Sequence, residues 1–150
     1  NVELLTATVF ISGYILGPVT GAVVGAVAEM IYSGLNPMGM PMPNLLFAQI
    51  VGMAFAGYVG GFLRKRNWFE NSIVKKTIVF ALAGFLITLV FDVLTTLSFS
   101  IVMAEGDVKK IVSSFLFGMT FYFIHLAVNT AIFATFVPLV LNRLKLVLYD

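Results

Sequence analysis

Apolar residues run along this chain in long blocks, and short joints of polar, glycine or proline residues separate them. A bilayer core needs about 20 apolar residues as helix. Five candidate spans follow, at about 2–16, 18–34, 44–63, 74–103 and 111–142. The first is short and could be completed by residues upstream. The last two exceed the minimum and are expected to tilt or protrude. The joints carry matching signals. Gly17-Pro18 reads as a tight turn, with Pro18 in the first turn of a helix, where its missing N–H costs nothing. Asn36-Pro37 ends the second span, because the residue before proline is pushed out of the helical region. Trp68 falls in a connection at interface depth, Asp107 is placed to cap the fifth span, and Pro138 is expected to kink it.

Composition turns these helices into membrane spans. Hydrophobic residues make up 60% of the chain and charged residues 11%, and mean hydropathy is +1.03. Soluble domains carry about 25% charged residues, so an aqueous surface is not supplied. The expected fold class is an all-α membrane protein, a polytopic bundle forming one domain over residues 1–150. A net charge of +2 gives no reason to expect nucleic acid, and without cysteine there is no disulfide, thiolate ligand or thiol nucleophile.

The basic residues set an orientation. Arg64, Lys65, Arg66, Lys75, Lys76, Arg143 and Lys145 fall on one side, and only Lys109 and Lys110 on the other. The positive-inside rule places the first side, with the C-terminus, in the cytoplasm. The loop 35–43 and the joint Glu105-Gly106-Asp107 then face outside, as does the start of the first span. A further helix upstream would return the N-terminus to the cytoplasm, so six helices are expected in the complete protein.

Two kinds of residue stand out within the spans. Gly13, Gly17, Gly21 and Gly25 recur every fourth residue, and Gly52, Ala56 and Gly60 form a second small-residue row. Such rows let helix backbones approach closely in lipid, for packing within the bundle or docking of a partner. The second kind is polar. An ionisable group at the centre of a span costs at least about 2.5 kcal/mol, which makes each a functional candidate. Glu29, Tyr32 and Asn36 lie toward the outer end of the second span, and Gln49 lies at the outer end of the third. Asp92 lies about 24 Å along the fourth span, and Thr88, Asp92, Thr95 and Thr96 share one face. His125 sits about 27 Å before the inner end of the fifth, with Asn129 one turn deeper, and Glu3 and Thr6 begin the first. Polar groups at similar depth on five helices are explained economically by a cavity opening outward.

Each has a plainer reading. Glu29 could reach the outer headgroups, and Asp92 could bond a neighbouring helix. His125 and Asn129 could be interhelical glue, Gln49 either glue or ligand contact, and the threonines could bond their own carbonyls. Met38, Met40 and Met42 could dip into the interface or form a soft lid over an adaptable pocket, gated with Asn36. Lys109 and Lys110 read as a solvated pair.

The run Gly13-Tyr14-Ile15-Leu16-Gly17-Pro18 with Gly21 and Gly25 resembles the S components of energy-coupling factor (ECF) vitamin transporters. Asn36-Pro37-Met38-Gly39, Gln49 and Asn129 fit that picture. The resemblance covers essentially the whole chain on short, glycine-dominated motifs. It implies a six-helix bundle in a prokaryotic cell membrane and an outward-facing ligand site closed by the loops after the second and fourth spans. It also implies a membrane T subunit and two cytoplasmic ATPases as partners. Docking in that family uses small residues on a first helix that this chain lacks.

No GxxxxGK[ST] loop is present, so any ATP is used by partners and no cofactor is expected in this chain. Glu29 and Asp92, with no Lys or Arg at cavity depth, favour a neutral or cationic, donor-rich ligand such as a heterocyclic vitamin or precursor. A self-sufficient carrier or channel, with Asp92, Glu29 and His125 as a proton or cation relay, explains the same residues. A membrane enzyme fits less well: no Ser/His or Ser/Lys pair converges, and HExxH is absent. Glu29, Asp92 and His125 lack metal-ligand spacing, so no metal is expected.

Overall fold

The computed structural model describes residues 4–65, 72–105 and 107–149, and among them all regular structure is helical. The helices are α1 (Leu4–Leu16), α2 (Pro18–Gly34), α3 (Pro43–Lys65), α4 (Ile73–Ala104) and α5 (Val108–Tyr149). The breaks have local causes. Gly17 adopts φ 102° and ψ 168°, a region essentially confined to glycine, and Pro18 opens α2 behind it. Ser72 caps α4 by accepting the backbone N–H of Lys75. Asp107 caps α5: its Oδ1 accepts from Lys109 N at 2.8 Å. At the other end of the chain, α5 runs unbroken through Pro138. Glu3, Arg66, Trp68 and Gly106 lie outside the described residues.

By length and composition α3, α4 and α5 can each cross a membrane. α1 and α2, with 13 and 17 residues, are shorter than those three. Five helices are therefore present as expected, and three of them are long and apolar enough to span.

Glycines decide how α1, α2 and α3 pack. A Cβ at Gly13 would strike the carbonyl of Gly57, and one at Gly57 would strike the carbonyl of Gly21. Gly25 meets the backbone of Met53, and Gly60 meets that of Phe10. Gly21 against Gly57 and Gly25 against Met53 set α2 antiparallel to α3, while Thr6 against Met53 and Arg64 on Ile15 O set α1 parallel to α3. Lipid supplies no hydrophobic drive between helices, so such close backbone approach is what holds them together. Gly52 and Ala56 are also used within the bundle: Gly52 lies against the Phe91 ring, and Ala56 is fully buried. Gly17 packs differently: a Cβ there would meet nothing within 4 Å, but its backbone lies against Gly61, and its positive φ makes the turn.

α4 and α5 form a long antiparallel hairpin, with Gly84 seated on the Phe133 ring. Phe10 joins the two halves. Its ring stands edge-on to Phe80 at 5.9 Å and to Phe133 at 5.0 Å, and Tyr14 stands edge-on to Phe80 at 6.0 Å. This aromatic core, with Ala83, Ile87 and Val137, fills the end of the bundle nearer the Gly17 turn. Near the other end, called here the loop end, the α3–α4 contact is polar: Asn44 donates to Ser98 O, and Ser98 Oγ donates to Asn44 O at 2.7 Å.

Candidate functional site

Above the aromatic core, α4 and α5 bring together Asp92 and Thr88 with His125 and Asn129. Spacing of one turn on each helix, run antiparallel, puts Thr88 opposite Asn129 and Asp92 opposite His125. Asp92 Oδ1 lies 2.7 Å from His125 Nδ1. Asn129 Nδ2 lies 3.1 Å from His125 Nε2 and 3.1 Å from Thr88 Oγ1. With Asn129 Nδ2 as the donor, Nε2 accepts, and the ring proton sits on Nδ1, facing Asp92. The chain of contacts thus runs Asn129 to His125 to Asp92. Phe91 stands edge-on to the His125 ring at 6.3 Å.

The network is incomplete on its acceptor side. Asp92 Oδ2 and Asn129 Oδ1 are buried atoms with no hydrogen-bond partner; outside the network, Gln49 Oε1 on α3 is another. Asp92 is 8% exposed and Asn129 1%. An interhelical hydrogen bond in a membrane contributes about 0.6 kcal/mol on average. An Asp in a span costs at least about 2.5 kcal/mol. Asp92 bonds across to α5 through Oδ1, and its Oδ2 is left for a further donor. Asn129 spends both donor hydrogens, one on α4 and one on α5.

One turn nearer the loop end, Thr96 Oγ1 lies 2.5 Å from Tyr122 Oη and ties α4 to α5 again. Thr95 turns back on its own helix, donating to Phe91 O at 2.8 Å. Beyond this tie a cleft of about 680 Å³ opens between α4, α5 and the start of α3. Leu45, Phe99 and Phe117 give it apolar walls, and Lys109 and Lys110 stand at its far end. Lys109 and Lys110 are exposed, as a solvated pair would be, and they also line this cleft, away from Asp92.

Glu29 is on the other side of α3. It is 2% exposed and accepts from Ser33 Oγ at 2.9 Å, so it does not reach for headgroups. Ser33, four residues on from Glu29, is legible as a helical neighbour and was missed, as was Tyr122 one turn before His125. Tyr32 is half exposed. Asn36 is exposed, and its Oδ1 is used locally, accepting from Met38 N at 3.0 Å. Met38, Met40 and Met42 are exposed, Met38 at 94%, and none of them lines the cleft. The α4–α5 cluster is therefore brought together as expected, whereas Asn36 and the methionine loop stand apart from it. Among the described residues, no three His, Cys, Asp or Glu side chains form a metal-holding group. Comparison with protein-family models, with curated proteins and with solved structures returned no match.

Proposed function

We propose that this protein is a membrane subunit that binds a small solute and passes it across the membrane with the help of partners, in the manner of an ECF S component. The observation that carries the proposal is Asp92: a buried carboxylate with one oxygen on His125 and the other without a donor. Gln49 Oε1 and Asn129 Oδ1 add two more unmatched acceptors on α3 and α5. A group that brings N–H donors or positive charge complements this set, which favours a neutral or cationic heterocycle of the vitamin or precursor kind. Lys109 and Lys110 do not change that preference at Asp92, since the Thr96–Tyr122 tie lies between.

The glycine motifs that resemble S components support the specific assignment, and with it a T subunit and two ATPases in a prokaryotic cell membrane. Affinity purification of the tagged protein from its native membrane tests this. Recovery of one membrane protein with two ATPases supports it, and their absence from a preparation that retains bound ligand refutes the partner assignment.

The Asp92–His125 contact also favours a second reading, a self-sufficient proton- or cation-coupled carrier, because such pairs serve as relays. That reading requires uptake driven by a pH gradient into liposomes holding this protein alone.

A further inference from the structure

The cleft at the loop end contains chemistry that the Asp92 cluster does not use. Its lining includes two cations, Lys109 and Lys110, and no carboxylate. The nearby acids are placed elsewhere: Asp107 caps α5 through Lys109 N, and Glu105 ends α4 in the left-handed conformation. Neither lines the cleft, so both charges on its wall are positive, although the two acids and two lysines of this joint sum to zero. From Lys110 to Tyr122 the cleft follows α5 for about 18 Å. Between these ends lie Phe99 and Phe117, the latter 85% exposed, and the hydroxyls of Ser113 and Ser114. Its floor is the Thr96–Tyr122 hydrogen bond, which separates it from Asp92 and His125.

We propose that this cleft is a second binding site, for a molecule with an apolar body and a single anionic group. The anion meets Lys109 and Lys110 beside the serine hydroxyls, and the body lies against Phe99, Phe117 and Leu45 with its far end at Tyr122. The cleft is open along its length, a shallow apolar trough with room for a ring system or one alkyl chain. Two charge-assisted contacts fix the head, and the apolar walls select against small inorganic anions. A soluble aryl phosphate and an anionic lipid share this chemistry. The site stands whether or not Asp92 binds a solute.

The test uses purified protein in a neutral detergent, with 1-naphthyl phosphate as the soluble probe and 1-naphthol as its uncharged counterpart. Phosphatidylglycerol against phosphatidylcholine, read by native mass spectrometry, forms the lipid arm. Two variants separate the cleft from simple surface charge. Lys109→Gln with Lys110→Gln removes the cations, and Ser113→Trp fills the cleft while leaving both lysines in place. Helix content and gel-filtration profile confirm folding. The proposal expects naphthyl phosphate to bind more tightly than naphthol, to weaken about tenfold in the lysine variant and to be lost in Ser113→Trp. If only phosphatidylglycerol is retained, and both variants release it, the same cleft takes lipid. Binding that survives Ser113→Trp, or failure of both probes to bind the unaltered protein, overturns the proposal.

Discussion

His125 Nδ1 and Asp92 Oδ1 lie 2.7 Å apart across the α4–α5 hairpin, and Asn129 Nδ2 lies 3.1 Å from Nε2 behind the ring. The chain contains a single histidine, so nitrogen-15 spectra of labelled protein report this ring alone. The neutral ring should show a protonated Nδ1 and an accepting Nε2. Asn129→Ala should release that preference, because no amide then donates to Nε2. A protonated Nε2 in the neutral ring of the unaltered protein would contradict the network.

The glycine seam makes a sharper prediction about stability. Gly57→Ala places a methyl group against the Gly21 carbonyl, a backbone atom that cannot move alone. It should cost about 1–3 kcal/mol or more, as overpacking does, read as a lower unfolding midpoint in detergent. Gly34→Ala meets only the flexible end of Met40 at 3.9 Å and should be neutral or mildly stabilising. Equal effects at the two positions would show that close approach does not hold α1, α2 and α3.

The third prediction concerns the tie below the cleft. A double-mutant cycle of Thr96→Val and Tyr122→Phe should give a coupling of about 0.6–1.7 kcal/mol, the range of interhelical hydrogen bonds in membranes. A coupling near zero would mean that the two hydroxyls do not bond.

Element boundaries were legible where a backbone constraint marks them. The second span, expected at 18–34, is α2 at Pro18–Gly34, because Gly17-Pro18 and Asn36-Pro37 each forbid continuation of the helix. The α4–α5 cluster was legible too, since turn-spaced Thr88, Asp92, His125 and Asn129 need only an antiparallel hairpin to meet. Which glycines pack was less so. α3 touches α1, α2 and α4, and it needs small residues on more than one face; Gly57, outside the Gly52-Ala56-Gly60 row, turned out to be the closest approach to α1 and α2. The place of Lys109 and Lys110 depends on how tightly the α4–α5 joint turns. The burial of Glu29 depends on which side of α2 the neighbouring helices cover. Periodicity within one helix carries neither.

On the proposed function, Asp92 anchors a bound small molecule rather than merely holding two helices together. Mass spectrometry of compounds released on denaturing purified protein tests it most directly, with the unaltered chain compared against Asp92→Asn of matched helix content. The account predicts one near-stoichiometric, donor-rich compound from the unaltered protein and its loss from Asp92→Asn. The same compound recovered equally from both, or no compound from either, would contradict it.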